Sequence, residues 1–376
     1  MISIHRNARG VEAFVAVCAS PGVSFSEALD DLLTRYDATL QEEGLDRDSA
    51  VLLRFHVSDA HTQADELLEQ LKDFSGEALV SLVQQPPASG GKIAIEAYHI
   101  APQGDAVITK RPDPAGPLVG HGSYKSLWGQ LLPEPSHNCS PYNQTGGILD
   151  TLSDAMSTHG GTVKENVIRT WFYVRDIDNN YAGMVDARRE WFQEVGMTSD
   201  THYITSTGIE GNVAKPSDLV MLNYLAVLGL DKQQVHFMSA LDNLCPTHEY
   251  GVTFERGTRI MFGDRSHYYI SGTASIDDKG DVLHIGDVIK QTERTLENIS
   301  ALMTGSGAAL EDMKLIIVYL RDRADYKQVD EYLAEHMPKS TAYIIVEGAV
   351  CRPTWLIEMD GVAITDDCDA KFAPFC

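Results

Sequence analysis

His267-Tyr268-Tyr269-Ile270-Ser271-Gly272-Thr273-Ala274-Ser275-Ile276 reads as a strand, rich in aromatic and small β-forming residues. It lies within Glu249–Ile364, which opens Tyr250-Gly251-Val252-Thr253-Phe254. A helix follows, with Val288, Thr292, Leu296, Ile299 and Met303 on one face. Gly305-Ser306-Gly307 stops it and is no phosphate loop, because no strand precedes it. Met313–Asp322 is a second strand and 325–336 a second helix. Two strands close the stretch around Cys351-Arg352-Pro353-Thr354, the last being Trp355-Leu356-Ile357-Glu358-Met359-Asp360-Gly361-Val362.

The same order appears twice upstream. Residues 11–20 read as a strand, and Ser24-Phe25-Ser26-Glu27 as a capping box. Leu29, Leu32, Tyr36 and Leu40 then share a helical face that ends at Gly44. Strand 50–59, a helix over 62–74 and strands near 79–84 and 92–99 complete the first unit. A Pro/Gly-rich connector, Pro102–Gly122, marks a boundary. Beyond it come a strand at 126–130, a helix through Ile148, Leu152 and Met156, strand 166–176, a helix over 178–194 and strand 219–225.

Asp59, Asp176 and Asp322 each end an apolar strand. Asp59 stands 35 residues before Ala94, and Asp322 stands 36 before Glu358. Asp176 stands 45 before Met221, so the middle unit carries an insertion. Units of this size are domain-sized copies, not solenoid repeats. The expected fold is α+β: three tandem lobes, 1–103, 104–230 and 231–376, each a mixed sheet with helices on one face. The generic alternation of any α+β chain is the plainer reading of the pattern; the repeated spacing and the repeated strand-final aspartate speak against it.

The 376-residue chain has a formal charge of -24 and is 43% hydrophobic. That composition fits a packed globular protein, and so negative a chain repels phosphate backbones. No nucleic-acid partner is expected, and lone arginines inside apolar stretches become the candidates for holding an anion. No apolar run approaches the ~20 residues of a membrane span, and Met1-Ile2-Ser3-Ile4-His5-Arg6-Asn7 has no signal-peptide core. A cytoplasmic location without membrane association is expected. Six scattered cysteines without a CxxC, and histidines without ligand spacing, give no metal site, no disulfide framework and no cofactor.

Ser271-Gly272-Thr273-Ala274-Ser275-Ile276, Gly280, Gln291-Thr292, Thr295-Leu296-Glu297-Asn298-Ile299, Val318-Tyr319-Leu320-Arg321-Asp322 and Ile357–Ala363 resemble the RidA/YjgF superfamily, also known as endoribonuclease L-PSP or translation initiation inhibitors. The resemblance is good over 249–364, moderate over 146–226 and weak over 11–99. It implies a chorismate-mutase-like α+β subunit, trimers with ligand clefts between subunits, and here a covalent pseudo-trimer. That pseudo-trimer is monomeric or assembles into a higher homo-oligomer. Glu249-Tyr250-Gly251 with Phe254, His284 with Gly286-Asp287, and Cys351-Arg352 before Leu356-Ile357-Glu358 resemble the chorismatase branch. Chorismatases cleave the enolpyruvyl ether of chorismate. By resemblance Arg352 anchors a substrate carboxylate and Glu358 supplies a proton. RidA deaminases use a Pro-Ala-Arg arginine, whereas Thr341-Ala342-Tyr343 stands here.

Glu358 sits between Ile357 and Met359 in an apolar strand, where burial raises a carboxyl pKa. A vinyl ether is protonated on carbon, which calls for an acid still protonated near neutral pH. A solvent-facing glutamate is the alternative by strand alternation. Ala94 and Met221 hold no transferable proton, so one cleft of three is expected to be active. Arg352, beside Pro353, has the fork for a carboxylate, unless it is a surface turn residue. A hairpin between 343–350 and 355–362 places Glu347 opposite Glu358. Cys351 lines a pocket, attacks a substrate or packs as a small hydrophobe. Tyr250 and Phe254 wall a cleft or fill a core. Ser271 and Gly272 offer a hydroxyl and an N–H to an anion, or mark a strand bend.

Two functions therefore stand. One is a chorismatase-like lyase or hydrolase acting on a small carboxylated enol ether or cyclic acid. The other is a RidA-type protein that binds keto or imino acids, with or without deamination. The ribonuclease label is disfavoured by the charge.

Overall fold

The computed structural model describes residues 1–135 and 140–376, except for the side chain of Tyr250. Cys139 falls outside the described residues, and the other five cysteines are free thiols.

The first unit runs β1 (Ile2–Arg6), β2 (Gly10–Cys18), α1 (Phe25–Glu42), β3 (Ala50–Val57), α2 (Ala60–Leu71), β4 (Leu79–Gln84) and β5 (Ile93–Pro102). Its sheet order is β1-β2-β5-β3-β4. The local sequence explains α1. Ser24 and Glu27 cap each other's backbone at its start, and Leu29, Leu32, Tyr36 and Leu40 are buried against the sheet. Gly44 adopts the left-handed conformation (φ 71°) just past its end, where a β-carbon is disfavoured.

The second unit runs β6 (Ile108–Arg111), β7 (Leu118–His121), β8 (Tyr124–Leu131), α3 (Pro141–Thr158), α4 (Val163–Asn166), β9 (Val167–Val174), α5 (Ile177–Glu194), β10 (Thr205–Glu210) and β11 (Val220–Leu228). Its order is β10-β9-β11-β8-β7-β6. The Pro102–Gly122 connector is thus not merely a linker, since β6 and β7 lie within it and extend the middle sheet. The third unit runs β12 (Val235–Phe237), β13 (Gly257–Met261), β14 (Ser266–Ala274), α6 (Val288–Gly305), β15 (Met313–Leu320), α7 (Tyr326–His336), β16 (Ala342–Glu347) and β17 (Ile357–Thr365). Its order is β12-β13-β14-β17-β15-β16.

Each unit repeats one core. The last strand enters antiparallel between the first and second, and the third pairs parallel with the second. The registers superpose the units residue by residue. His56 faces Ala94, Tyr173 faces Met221 and Tyr319 faces Glu358, each three residues before its marker aspartate. Two residues on, Glu96, Asn223 and Asp360 are therefore equivalent positions. Two of the aspartates cap the turn that follows: Asp59 accepts from the His61 N–H and Asp322 from the Ala324 N–H. Asp176 instead sits in the left-handed conformation and accepts from the Asn179 side chain.

The third strand of each unit packs on the first strand of the next: β4 on β8, β10 on β14 and β16 on β2. The three sheets close around a pseudo-threefold interior. Phe14, Tyr98, Trp128, Trp171 and Ile317 from all three units share one apolar cluster there. Sheet and helices enclose further cores in units one and two. The C-terminal segment ties all three units together at one end. Phe375 packs 4.2 Å from the His121 ring and 4.6 Å from the His267 ring, and a β-carbon on Gly10 would lie 3.1 Å from Cys376 Sγ. Among the described residues no helix is long and apolar enough to cross a membrane.

Candidate active site

Alternation along β17 aims Glu358 and Asp360 at the interior and Ile357 and Met359 at the opposite face. Glu358 is 5% exposed, so the solvent-facing alternative is excluded. Its side chain borders a cavity of about 50 Å³ between units two and three. Room of that size takes on the order of three to five waters, or a small acid.

Gly272 makes the carboxyl's position possible. A β-carbon there would lie 2.2 Å from Glu358 Oε1. Burial pushes the Glu358 pKa up to about 8, and the charge of Asp360 adds to the rise against the pull of Arg169 and Arg256. Asp360 is held in place from three sides. Its Oδ2 accepts from Thr207 Oγ1 at 2.7 Å and Tyr319 Oη at 3.0 Å, and pairs with Arg169 Nη2 at 3.1 Å. All four side chains are buried.

Expected Arg352, Cys351, Phe254 and Gly272 meet Glu358 at this cavity. Arg352 stacks its guanidinium 5.0 Å from the Trp355 ring. Burial and Glu358 push the Cys351 thiol up to about 12. Cys351 is therefore held as a neutral thiol in the cavity lining, hydrogen-bonded to Tyr181.

Three expectations need correction. Ser271 does not face the cavity: its hydroxyl donates to the Glu255 carbonyl at 2.5 Å and accepts from the Ser206 N–H at 2.8 Å, stitching β14 to β10. The Gly272 N–H is likewise taken, by Thr207 Oγ1 at 3.0 Å. Glu347 is not opposite Glu358, because β17 inserts between β14 and β15, leaving β16 at the sheet edge. The neighbouring acid is Asp360 instead. Tyr250 belongs to a 3-10 turn, Thr247–Tyr250, and its side chain is outside the described residues.

Unit two supplies the half of the site that the sequence did not point to: Tyr181, Arg188, Ser206 and Gly208. Thr341-Ala342-Tyr343 lies at a different cleft from Glu358, since β16 packs on unit one. Tyr343 faces Ile316, six residues before Asp322, and Ser206 faces Thr170, six before Asp176, so Ser206 is its equivalent in the Glu358 cleft. Arg188 Nη1 lies 3.3 Å from Ser206 Oγ, so a helix supplies the guanidinium. Arg256, held by the Cys245 carbonyl at 2.9 Å, is the third arginine at the cavity. The site presents a buried acid amid cations, which suits an anionic ligand to be protonated. No group of three or more His, Cys, Asp or Glu side chains among the described residues has the geometry for a metal.

A family model described as Endoribonuclease L-PSP matches residues 262–365. The 3-aminoacrylate deaminase RutC of Acinetobacter baylyi is 35% identical over 96 residues, 25% of this chain and 76% of that protein. The chain belongs to the RidA superfamily, the endoribonuclease L-PSP family. Over almost its whole length it is similar to a solved chorismatase, at a TM-score of 0.66 and 19% identity, covering 93% of this chain and 98% of that one. That likeness fixes the three-lobed fold. A single-lobe RidA from an Antarctic Psychrobacter covers 35% of this chain and 99% of its own, at 19% identity and a TM-score of 0.30.

Proposed function

We propose that the protein protonates the carbon of an electron-rich alkene on a small carboxylic acid, and that its substrate is chorismate or a related enolpyruvyl ether. The observation that carries this is Glu358, a buried carboxyl with its pKa near 8, in a cavity bordered by Arg188, Arg256 and Arg352. The chorismatase likeness supports the choice of substrate.

In the proposed reaction the Glu358 carboxyl gives its proton to the terminal CH₂ carbon of the enolpyruvyl group. The ether oxygen shares the resulting positive charge as an oxocarbenium ion. Water adds to that carbon and returns a proton to the Glu358 carboxylate. The hemiketal then breaks its carbon–oxygen bond, releasing pyruvate and the ring alcohol. Arg352 anchors a carboxylate bidentately, and the neighbouring guanidiniums favour the anionic substrate over neutral analogues. Glu358 is protonated before the reaction because its surroundings disfavour the charged form. Units one and two offer Ala94 and Met221 at the matching position, so one cleft works.

A second reading has its own support in the 35% identity to a 3-aminoacrylate deaminase. An enamine acid is the nitrogen counterpart of an enol ether acid, and its breakdown also starts with protonation on carbon. The test is pyruvate release from chorismate by wild type and Glu358→Gln, with ammonia release from 3-aminoacrylate alongside. Pyruvate from the wild type alone supports the enol ether reading. Ammonia without pyruvate selects the deaminase. Undiminished pyruvate release by Glu358→Gln refutes the proposed acid.

A further inference from the structure

Trp355 forms part of the cavity wall and is 5% exposed. Its indole Nε1–H is buried and has no acceptor among the described residues. A buried N–H without a partner is costly, and native structures rarely keep one without reason. The backbone on both sides of the ring is also tied down. Gln291, fully buried, donates from Nε2 to the Thr354 carbonyl at 3.0 Å and accepts at Oε1 from the Leu356 N–H at 2.8 Å. The backbone N–H of Trp355 closes the turn onto the Arg352 carbonyl at 3.0 Å. Both chain neighbours of the tryptophan are thus fixed by one side chain. The Arg352 guanidinium lies over the same ring at 5.0 Å.

We propose that Trp355 is a specificity-determining residue: its indole N–H donates to a carboxylate oxygen of the bound ligand, next to the guanidinium stacked on its ring. This deepens the reading of the site as one for small carboxylic acids and rests on it. An indole N–H is a donor only, so it discriminates against ligand groups that offer hydrogens instead of lone pairs. Paired with a cation it selects an anion, and Gln291 acts as the positioning residue behind it.

The probe is pyruvate, with pyruvamide as its neutral counterpart. Wild type and Trp355→Phe are titrated with each, following tryptophan fluorescence for wild type and calorimetry for both. The wild type should prefer pyruvate, and Trp355→Phe should lose about tenfold of that preference, the size of one charge-assisted hydrogen bond. Its melting temperature should fall modestly, because the smaller ring leaves part of the indole's buried space unfilled, and the preference is therefore read at a temperature where both proteins are folded. Equal preference in both proteins overturns the proposal. A second measurement does not depend on the variant. In the ¹⁵N-tryptophan-labelled wild type, one of the 4 indole N–H signals should move downfield with pyruvate and none with pyruvamide. If none moves with pyruvate, the proposal falls. Neither readout uses turnover, so a protein inert towards chorismate but showing the indole shift would refute the proposed reaction and keep this inference.

Discussion

The carboxyl of Glu358 occupies the space that a side chain on Gly272 would need. Its Oε1 lies 2.2 Å from the site of that missing β-carbon, and Thr207 Cγ2 lies 3.2 Å from it. Strand β14 and strand β17 are therefore complementary at this point, one with no side chain and the other with a buried carboxyl.

Gly272→Ala should consequently separate fold from activity. The clash is with the far end of a side chain, so Glu358 swings away while the sheet holds. Pyruvate release should fall at least ~100-fold, a displacement effect on a positioned acid. Stability should fall by about 1–3 kcal/mol, the usual cost of overpacking, read by urea denaturation. Activity within severalfold of wild type would show that the carboxyl does not act from this position.

Glu358 should also set a pH signature. With its pKa near 8 it donates only below that value, so kcat/KM should fall about tenfold per pH unit above it. Stability follows the same proton. Between the ordinary glutamate value and pH 8 the folded chain holds a proton that the unfolded chain has released. Stability therefore declines as pH rises through that window, on the order of a few kcal/mol. Glu358→Gln should remove this slope. Denaturation curves for both proteins between pH 5 and 9 decide it, parallel curves counting against a raised Glu358.

Asp360→Asn probes the charge behind the acid. It removes the negative neighbour that raises Glu358 and leaves Arg169 pulling the other way. The alkaline limb of the activity profile should move to lower pH. Arg169, 1% exposed, loses its counter-charge, and the variant should be less stable by about 3–5 kcal/mol. An unmoved limb would detach Asp360 from the tuning of Glu358.

Phe375→Ala tests the C-terminal fastening, remote from the chemistry. Phe375 is 4% exposed among His121, Phe262 and His267. Its truncation should cost about 3–5 kcal/mol, while kcat/KM stays within severalfold of wild type. A stable variant would mean that the tail merely rests against the three units.

Much of this was legible in the sequence, for reasons that can be named. Helices announced themselves by amphipathic period and caps, as at Ser24 and Glu27. Asp59 and Asp322 were visible because capping demands a particular residue at a particular place. Glu358, Arg352, Cys351, Phe254 and Gly272 came together because they lie in one unit, on β14, β17 and the loops beside them. Strand partners were not legible. The hairpin assumption for 343–362 failed because chain proximity says nothing of a strand inserted from elsewhere, so Asp360 was overlooked in favour of Glu347. Arg188 and Ser206 were missed because the cleft is completed by a different unit. Their signal was faint: an arginine on an otherwise core-facing position of α5. Arg169, in the apolar strand β9, was the clearer case of an arginine inside an apolar stretch.

The equivalence of Glu96, Asn223 and Asp360 carries a last consequence. In an assembly of three identical subunits, whatever side chain stood there would appear in triplicate, and three clustered acids would demand three counter-ions at once. One continuous chain lifts that degeneracy. Glu96 is paired with Arg54, Asp360 with Arg169, and the neutral amide of Asn223 accepts from both Arg54 and Ser81. Each lobe can thus be edited alone. The clefts with Ala94 and Met221 at the matching position are further copies of the same architecture, open to new side chains without disturbance to the one that holds the acid.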